Sequence, residues 1–350
     1  MRLKNNYNKL VLLAILVLTV SCVSVSTLDI QVLEPASDPV EPAIRDIVVL
    51  NRSVIKDPLP PLETEIVDTT LPESYLTGLI NKTTTEAVFS LADILNESPS
   101  FNYIDQTRLL EITTDDPANI PEPLDQLFVA GLCDSLEAQA LISLEFINIV
   151  YTDSLVTETH TEYGRSMRYI RGVIDLRLDV KWRIYEGFGG VLSDEYLFVD
   201  TMRWEVADWN IDDVLYRMPE IEEVFLESAY FAALTYARRI APYWLTHERN
   251  VFFRGTRGLR RAYRHLINDE IDNAEEIYFE ELNRWNNNIV GAAMHNLALI
   301  NELKGDARRA LVWARRSYQV AQKSLTAAYI DILEERVRIS EELDRQLGVN

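Results

Sequence analysis

Seven apolar residues at even positions, Ile170, Ile174, Leu176, Leu178, Val180, Trp182 and Ile184, interleave with the charged residues Arg171, Asp175, Arg177, Asp179, Lys181 and Arg183. Successive side chains of an extended chain point to opposite faces, so this period predicts one long strand with a dry face and a wet face. A strand of that kind needs sheet neighbours and a second layer over its dry side. A neighbour follows at once: the glycines of "EGFGG" supply a turn and "VLSDEYLFVDTMRW" returns as the other arm of a hairpin.

The flanking sequence supplies the rest of a sheet. Ile47 to Leu50 is a continuous apolar run, as expected of a strand buried on both faces. Leu76, Leu79, Ile80, Ala87, Leu91, Ile94 and Leu95 recur at three- and four-residue steps and mark a helix. Residues 124 to 136 read as a second helix and "ALISLEFINIVY" as another strand. Ile221, Val224, Phe225, Ala232 and Tyr236 mark a further helix that ends before Pro242. Strands alternating with helices predict an α+β or α/β domain over residues 44–245, with a mixed sheet and a long hairpin at one side.

From about residue 255 the pattern is helical throughout. "LRRAYRHLINDEIDNAEEIYFEEL" and "MHNLALINELKGDARRALVWARRSY" superimpose with Ala262 on Ala298 and Ala274 on Ala310. In the second copy Leu297, Ala298, Gly305-Asp306, Ala310 and Leu311 resemble the tetratricopeptide pattern, in which small residues let two antiparallel helices pack closely. The first copy departs from it, with Arg261 in place of Leu297 and Asp269 in place of Gly305. A last helix carries Leu325, Ala328, Ile332, Ile339 and Leu343 on one side. Residues 250–346 are therefore predicted to be an all-α, tetratricopeptide-like domain of helical hairpins.

The N-terminus reads as an address. Leu10 to Val20 is an apolar run preceded by Arg2, Lys4 and Lys9. It falls short of the roughly 20 apolar residues that a spanning helix needs, and its flanks are those of a secretion signal. An uncleaved anchor and an ordinary cleaved signal are the alternatives to what Thr19-Val20-Ser21-Cys22 resembles, the bacterial lipoprotein signal, with a small residue before a cysteine that is acylated. The favoured leucine stands at Leu18, one place early. On that reading residues 1–21 are removed, Cys22 is the lipidation site, and three acyl chains hold the protein in a membrane. Val23 and the lack of an acidic run after Cys22 favour the outer membrane, periplasmic face. Prolines crowd the next stretch, and residues 22–43 are predicted to be an extended tether.

Together, Cys22, "LEPA", "IVVLNRS", "WRIYE", "RIAPYW", "HNLALINELKGD" and "ALVWARRSY" resemble an uncharacterised family of Gram-negative bacterial lipoproteins. That resemblance implies envelope localisation and no established activity. In strand order the N-terminal half is also similar to small α/β domains of envelope lipoproteins such as the curli-secretion protein, and to those of the Tol-system propeller protein.

Charge bounds the partners. The chain of 350 residues carries a formal net charge of -21, and loss of residues 1–21 would make it -24. Such a surface repels nucleic acid and anionic membrane unless it is locally reversed, so nucleic-acid binding is not expected. One stretch does reverse it: eight arginines and a single acid, Glu248, lie between Arg238 and Arg264. Arg257, Arg260, Arg261 and Arg264 fall at helical spacing among aromatic residues, which suits planar anions and protein hot spots. The opposing reading is that the arginines neutralise acidic helices of the same protein.

No catalytic pattern emerges. The four histidines (160, 247, 265 and 295) share no metal-ligand spacing, and "EGFGG" lacks the lysine and hydroxyl of a phosphate loop. Asp175 and Asp179 share a strand face but alternate with Arg177 and Lys181, as on a solvated surface. Cys133, the second of two cysteines, reads as a buried thiol. No cofactor is expected. The function that follows is a non-enzymatic, lipid-anchored interaction platform with a protein partner in the helical-repeat groove; the alternative is a glycan-binding module or an envelope enzyme.

Overall fold

The computed structural model describes residues 24–56, 73–102, 104–105, 109–162 and 165–349. The apolar run and Cys22 lie outside them. The chain divides into two compact units, one of residues 35–243 with 346–349 and the other of the segment through Glu34 with residues 244–345.

The first unit is built on a five-stranded mixed sheet. Its elements are β2 (Ile47–Ile55), α1 (Glu73–Asn96), β3 (Leu110–Thr114), α2 (Gln126–Leu136), β4 (Ala140–Glu162), β5 (Arg165–Glu186), β6 (Leu192–Asp208), α3 (Ile211–Arg217) and α4 (Ile221–Ile240). The strand order is β3-β2-β4-β5-β6. β2 runs parallel to β3 and β4, and β4, β5 and β6 are antiparallel in turn. Helices cover both faces of the parallel part, which accounts for the unbroken apolar run of β2. Val49 joins α1, α4 and the dry face of β5, whereas Val48 and Leu50 meet Val129 and Cys133 of α2. Trp182 of β5 stacks on Tyr236 of α4 at 5.1 Å between ring centroids. The wet face of β5 carries ion pairs: Arg203 donates twice to Asp175, at 2.7 and 2.8 Å. The "EGFGG" turn needs glycine at position 190, which has φ 63° and where a Cβ would lie 2.0 Å from the Gln126 carbonyl oxygen.

β4 is longer than its apolar pattern. The alternation ends near Tyr151, yet the strand runs on to Glu162 and stays paired with β5 as far as Arg165. Thr152–Thr159 is exposed or only half-buried, so no burial imposes apolar residues there. Cross-strand pairs such as Glu158 with Arg171, at 2.9 Å, hold it instead.

In the second unit, β1 (Val25–Glu34) pairs with β7 (Tyr243–Phe252), and α5 (Arg257–Ile267), α6 (Ile271–Glu281), α7 (Asn287–Leu303), α8 (Ala307–Ala321) and α9 (Ser324–Gln346) follow. Here the structure corrects the sequence reading. The expected tether over 22–43 contains a ten-residue strand, and Ser24 already accepts a hydrogen bond from the Phe253 amide at 3.2 Å. Leu28, Ile30 and Val32 alternate, and Ile30 and Val32 bury themselves against the helices. The strand ends at Glu34, just before the prolines begin at Pro35. The boundary between units also moves, from the expected 245–250 to Tyr243/Trp244, so that β7 lies almost wholly with the helices.

The four alanines of the internal repeat, Ala262, Ala274, Ala298 and Ala310, are fully buried. They let α5 lie against α6 and α7 against α8. Asp269 serves where Gly305 does: both adopt left-handed backbone, with φ 60° and 79°. Aspartate tolerates that region better than most residues, so the first hairpin closes without glycine. The buried stripe of α9 shares only Leu343 with the expected one. Leu325 and Ile332 are exposed, and Thr326, Tyr329, Leu333 and Leu343 point inward. Polar contacts set that orientation: Tyr329 donates to Glu302 at 2.5 Å, and Arg336 pairs with Glu34 at 2.7 Å.

His295 of α7 is buried, with its ring nitrogens 3.0 Å from the Thr326 hydroxyl and 3.0 Å from the Asn250 carbonyl. Burial away from water, reinforced by the Lys323 charge, holds its pKa down at about 4. The unfolded chain then binds more protons between pH ~6.5 and ~4, so stability is full above that window and falls as pH drops through it. Chemical denaturation should show about 3 kcal/mol lost between those limits. His295→Gln should remove most of that slope, and an unchanged slope would rule out His295 as its source.

Candidate anion-binding groove

α5 is amphipathic in the literal sense of its spacing. Leu259, Ala262 and Leu266 are buried, and Arg257, Arg260, Arg261 and Arg264 are exposed on the other side. Thr256 caps the helix by accepting from the Leu259 amide at 3.0 Å. The arginine side borders a groove of about 850 Å³. Its opposite wall is the end of α6, with Glu280, Glu281 and Arg284. Phe253 and Tyr263, with ring centroids 5.2 Å apart, add an aromatic border.

The charge balance in the groove is five arginines to two glutamates. Arg261 meets Glu280 at 3.3 Å, but both side chains are more than half exposed and water screens that pair. Arg284 donates to Glu281 Oε1 at 2.9 Å. The guanidinium groups of Arg257, Arg260 and Arg264 have no ion pair or hydrogen bond among the described residues. Glu281 is only 2% exposed, and its Oε2 has no hydrogen-bond partner among the described residues. A buried carboxylate oxygen without a donor is costly, so the groove wall holds an unmet acceptor beside three unmet cations.

The arginine-rich stretch of the sequence thus resolves into different duties. Arg239 pairs with Asp38 and, at 2.6 Å, with Asp194. Arg249 is buried and donates to Glu302 at 2.9 to 3.2 Å. Arg238 and Arg254 lie over the rings of Tyr243 and Phe253. Ion pairs within the chain engage three of the eight arginines, Arg239, Arg249 and the exposed Arg261, and the four candidate partner-binding residues 257, 260, 261 and 264 do come together. Sequence reasoning missed Glu281 and Arg284. Their signal was the repeat register, which sets the end of α6 beside the start of α5.

The other candidates sit elsewhere. His247 meets Glu34 at 3.2 Å and His265 contacts Glu270, while the His160 side chain lies outside the described residues. Cys133 is buried, and burial raises its thiol pKa. Asp179 pairs with Arg177 at 3.0 Å. In the sheet unit Glu145 is buried between Arg52 and Arg183 and accepts from the Tyr185 hydroxyl at 2.9 Å. That network ties down the segment before α2, because Arg183 donates to the Pro121 carbonyl at 2.7 Å and Tyr185 accepts from the Leu124 amide at 3.1 Å. Among the described residues no three His, Cys, Asp or Glu side chains are grouped to hold a metal ion.

Residues 44–252, from the start of the sheet through β7, match the family described as Domain of unknown function (DUF8603). The chain belongs to that family. Residues 260–335, covering most of the helical stretch and most of the groove lining, match a second one, Domain of unknown function (DUF6340). No curated protein matches. A solved neuraminyllactose-binding hemagglutinin homolog from Helicobacter pylori is 12% identical, with 58% of this chain and 88% of that chain covered and a TM-score of 0.25. A likeness that low bears on neither fold nor ligand.

Gly258 of α5 lies against Glu281: a Cβ there would sit 2.0 Å from Oε1 and 2.6 Å from Cδ. Gly258→Ala should therefore destabilise by about 1 kcal/mol as the carboxylate is displaced. In a Glu281→Ala background the same change should stabilise by about 0.5–1 kcal/mol, since alanine is the better helix former. A double-mutant cycle by thermal unfolding checks the reversal of sign.

Proposed function

We propose that this chain is a lipid-anchored envelope protein without catalytic activity, held in the outer membrane through Cys22 and facing the periplasm. Its helical unit, a pair of tetratricopeptide-like hairpins with a final helix, is a binding platform. The observation that carries the reading is the groove of α5 and α6, where three arginines without ion pairs among the described residues border an 850 Å³ depression in a chain of net charge -21. Charge reversed locally against so strong a background attracts an anionic ligand.

A protein partner has a separate surface to use. Phe279 of α6 packs edge-on against Trp313 of α8 at 5.7 Å, and Arg316 lies over the Trp313 ring. Phe279 itself and Val312, the residue before Trp313, are exposed. Aromatic residues with arginine are the composition of binding hot spots.

Two measurements test the reading. Cys22→Ala should shift the protein from the membrane fraction to the soluble envelope fraction, and unchanged membrane association would refute the anchor. Photo-crosslinking from position 316 in cells should trap one defined protein, and Val312→Glu with Phe279→Glu should abolish the adduct. A crosslink that survives the double substitution removes the partner from this surface.

A further inference from the structure

β1 carries the site of proposed acylation to the edge of the arginine groove. The Phe253 amide donates to the Ser24 carbonyl at 3.2 Å, and the Ser26 hydroxyl lies 3.1 Å from that of Tyr263. Phe253 and Tyr263 border the groove. Cys22 precedes Ser24 by two residues, so whatever its conformation it is joined to that point by at most about 7 Å of chain. An acyl chain on Cys22 would therefore enter the bilayer beside the groove, with no length of tether to hold the groove clear of the lipid surface.

The side chains suit that place. Arginine binds phosphate through a planar, weakly hydrated fork, and Arg257, Arg260 and Arg264 have no ion pair among the described residues. Trp285, next to Arg284 in the groove wall, is fully exposed. Exposed tryptophan is unfavourable in water and at home at a membrane–water interface. Glu281 adds selectivity: its Oε2 is buried without a donor, close to arginines that call for a phosphate. A headgroup that places an ammonium beside a phosphate would satisfy both. A choline headgroup has the phosphate but no N–H to donate.

We infer that the α5–α6 groove is a seat for a phosphoethanolamine lipid headgroup, with the phosphate on Arg257, Arg260 and Arg264 and the ammonium on Glu281. The inference rests on the lipid-anchored reading, because Cys22 supplies the proximity. Acylation and groove together would fix which side of the helical unit faces the bilayer, leaving the Phe279–Trp313 surface for a protein.

The test separates headgroup from anchor. The full chain from residue 22 with Cys22→Ser, which cannot be acylated, is floated with vesicles of phosphatidylethanolamine and phosphatidylcholine in equal parts, and with pure phosphatidylcholine vesicles. The expected result is binding at least about tenfold tighter to the first, a difference of about 1.4 kcal/mol. Arg257→Glu, Arg260→Glu and Arg264→Glu together should abolish binding with the melting temperature unchanged. Glu281→Gln should reduce the preference for phosphatidylethanolamine and leave residual binding. Brominated lipid should quench the fluorescence of the protein, and Trp285→Phe should remove most of that quenching. Equal binding to the two vesicle types, retention by the triple variant, or displacement from vesicles by poly-glutamate but not by soluble phosphoethanolamine would overturn the inference. Labelled palmitate incorporation at Cys22 in cells reads the anchor separately: its absence with vesicle binding intact removes the anchor and leaves the groove, and its presence with no vesicle binding does the reverse.

Discussion

The helical unit depends on how the second edge of β7 is satisfied. β1 pairs with one edge only, so on the other side the backbone groups of Asn250 and Phe252 meet helix α7 in place of a strand. Asn296 substitutes for a neighbouring strand: its amide accepts from the Phe252 N–H at 2.9 Å and donates to the Phe252 carbonyl at 2.7 Å. His295 meets the Asn250 carbonyl, and Glu302 takes the Arg249 guanidinium. Buried backbone groups without partners are costly, so these side chains fix where α7 lies and, through α7, the hairpins that pack on it.

That constraint explains the polar character of α7. "HNLALINELKGD" reads as an ordinary amphipathic helix, yet His295, Asn296, Asn301 and Glu302 are all nearly inaccessible to water. Their role is legible only once β7 is known to present an open edge to them. The same network extends to α9, where Tyr329 and Thr326 complete the hydrogen bonds of Glu302 and His295. This is why the buried stripe of α9 runs through Thr326 and Tyr329 and leaves Leu325 and Ile332 exposed.

The groove follows from the same frame. α5 is seated by Leu259, Ala262 and Leu266 against the core shared with β1 and β7, which turns its arginines outward. Close approach of α6 at Gly258 then brings Glu281 to the groove wall. The first repeat differs from the second where the groove forms, since Arg261 replaces the buried Leu297. What reads as a defect in a repeat is the residue that keeps that face wet.

The sequence by itself determined the elements whose burial is local and periodic: the alternation of β5, the apolar run of β2, the helix stripe of α1 and the alanine pairs of the two hairpins. It also placed Arg257, Arg260, Arg261 and Arg264 together, because helical spacing alone puts them on one side. Tertiary structure decided what depends on partners distant in the chain. It made a strand of the proline-flanked segment after Cys22, because β7 is some two hundred residues away in sequence and propensity cannot see it. It carried β4 past its apolar pattern on pairing with β5. It sorted eight neighbouring arginines into buried pairs, ring contacts and a groove, because the acids and aromatics that receive them come from elsewhere in the chain.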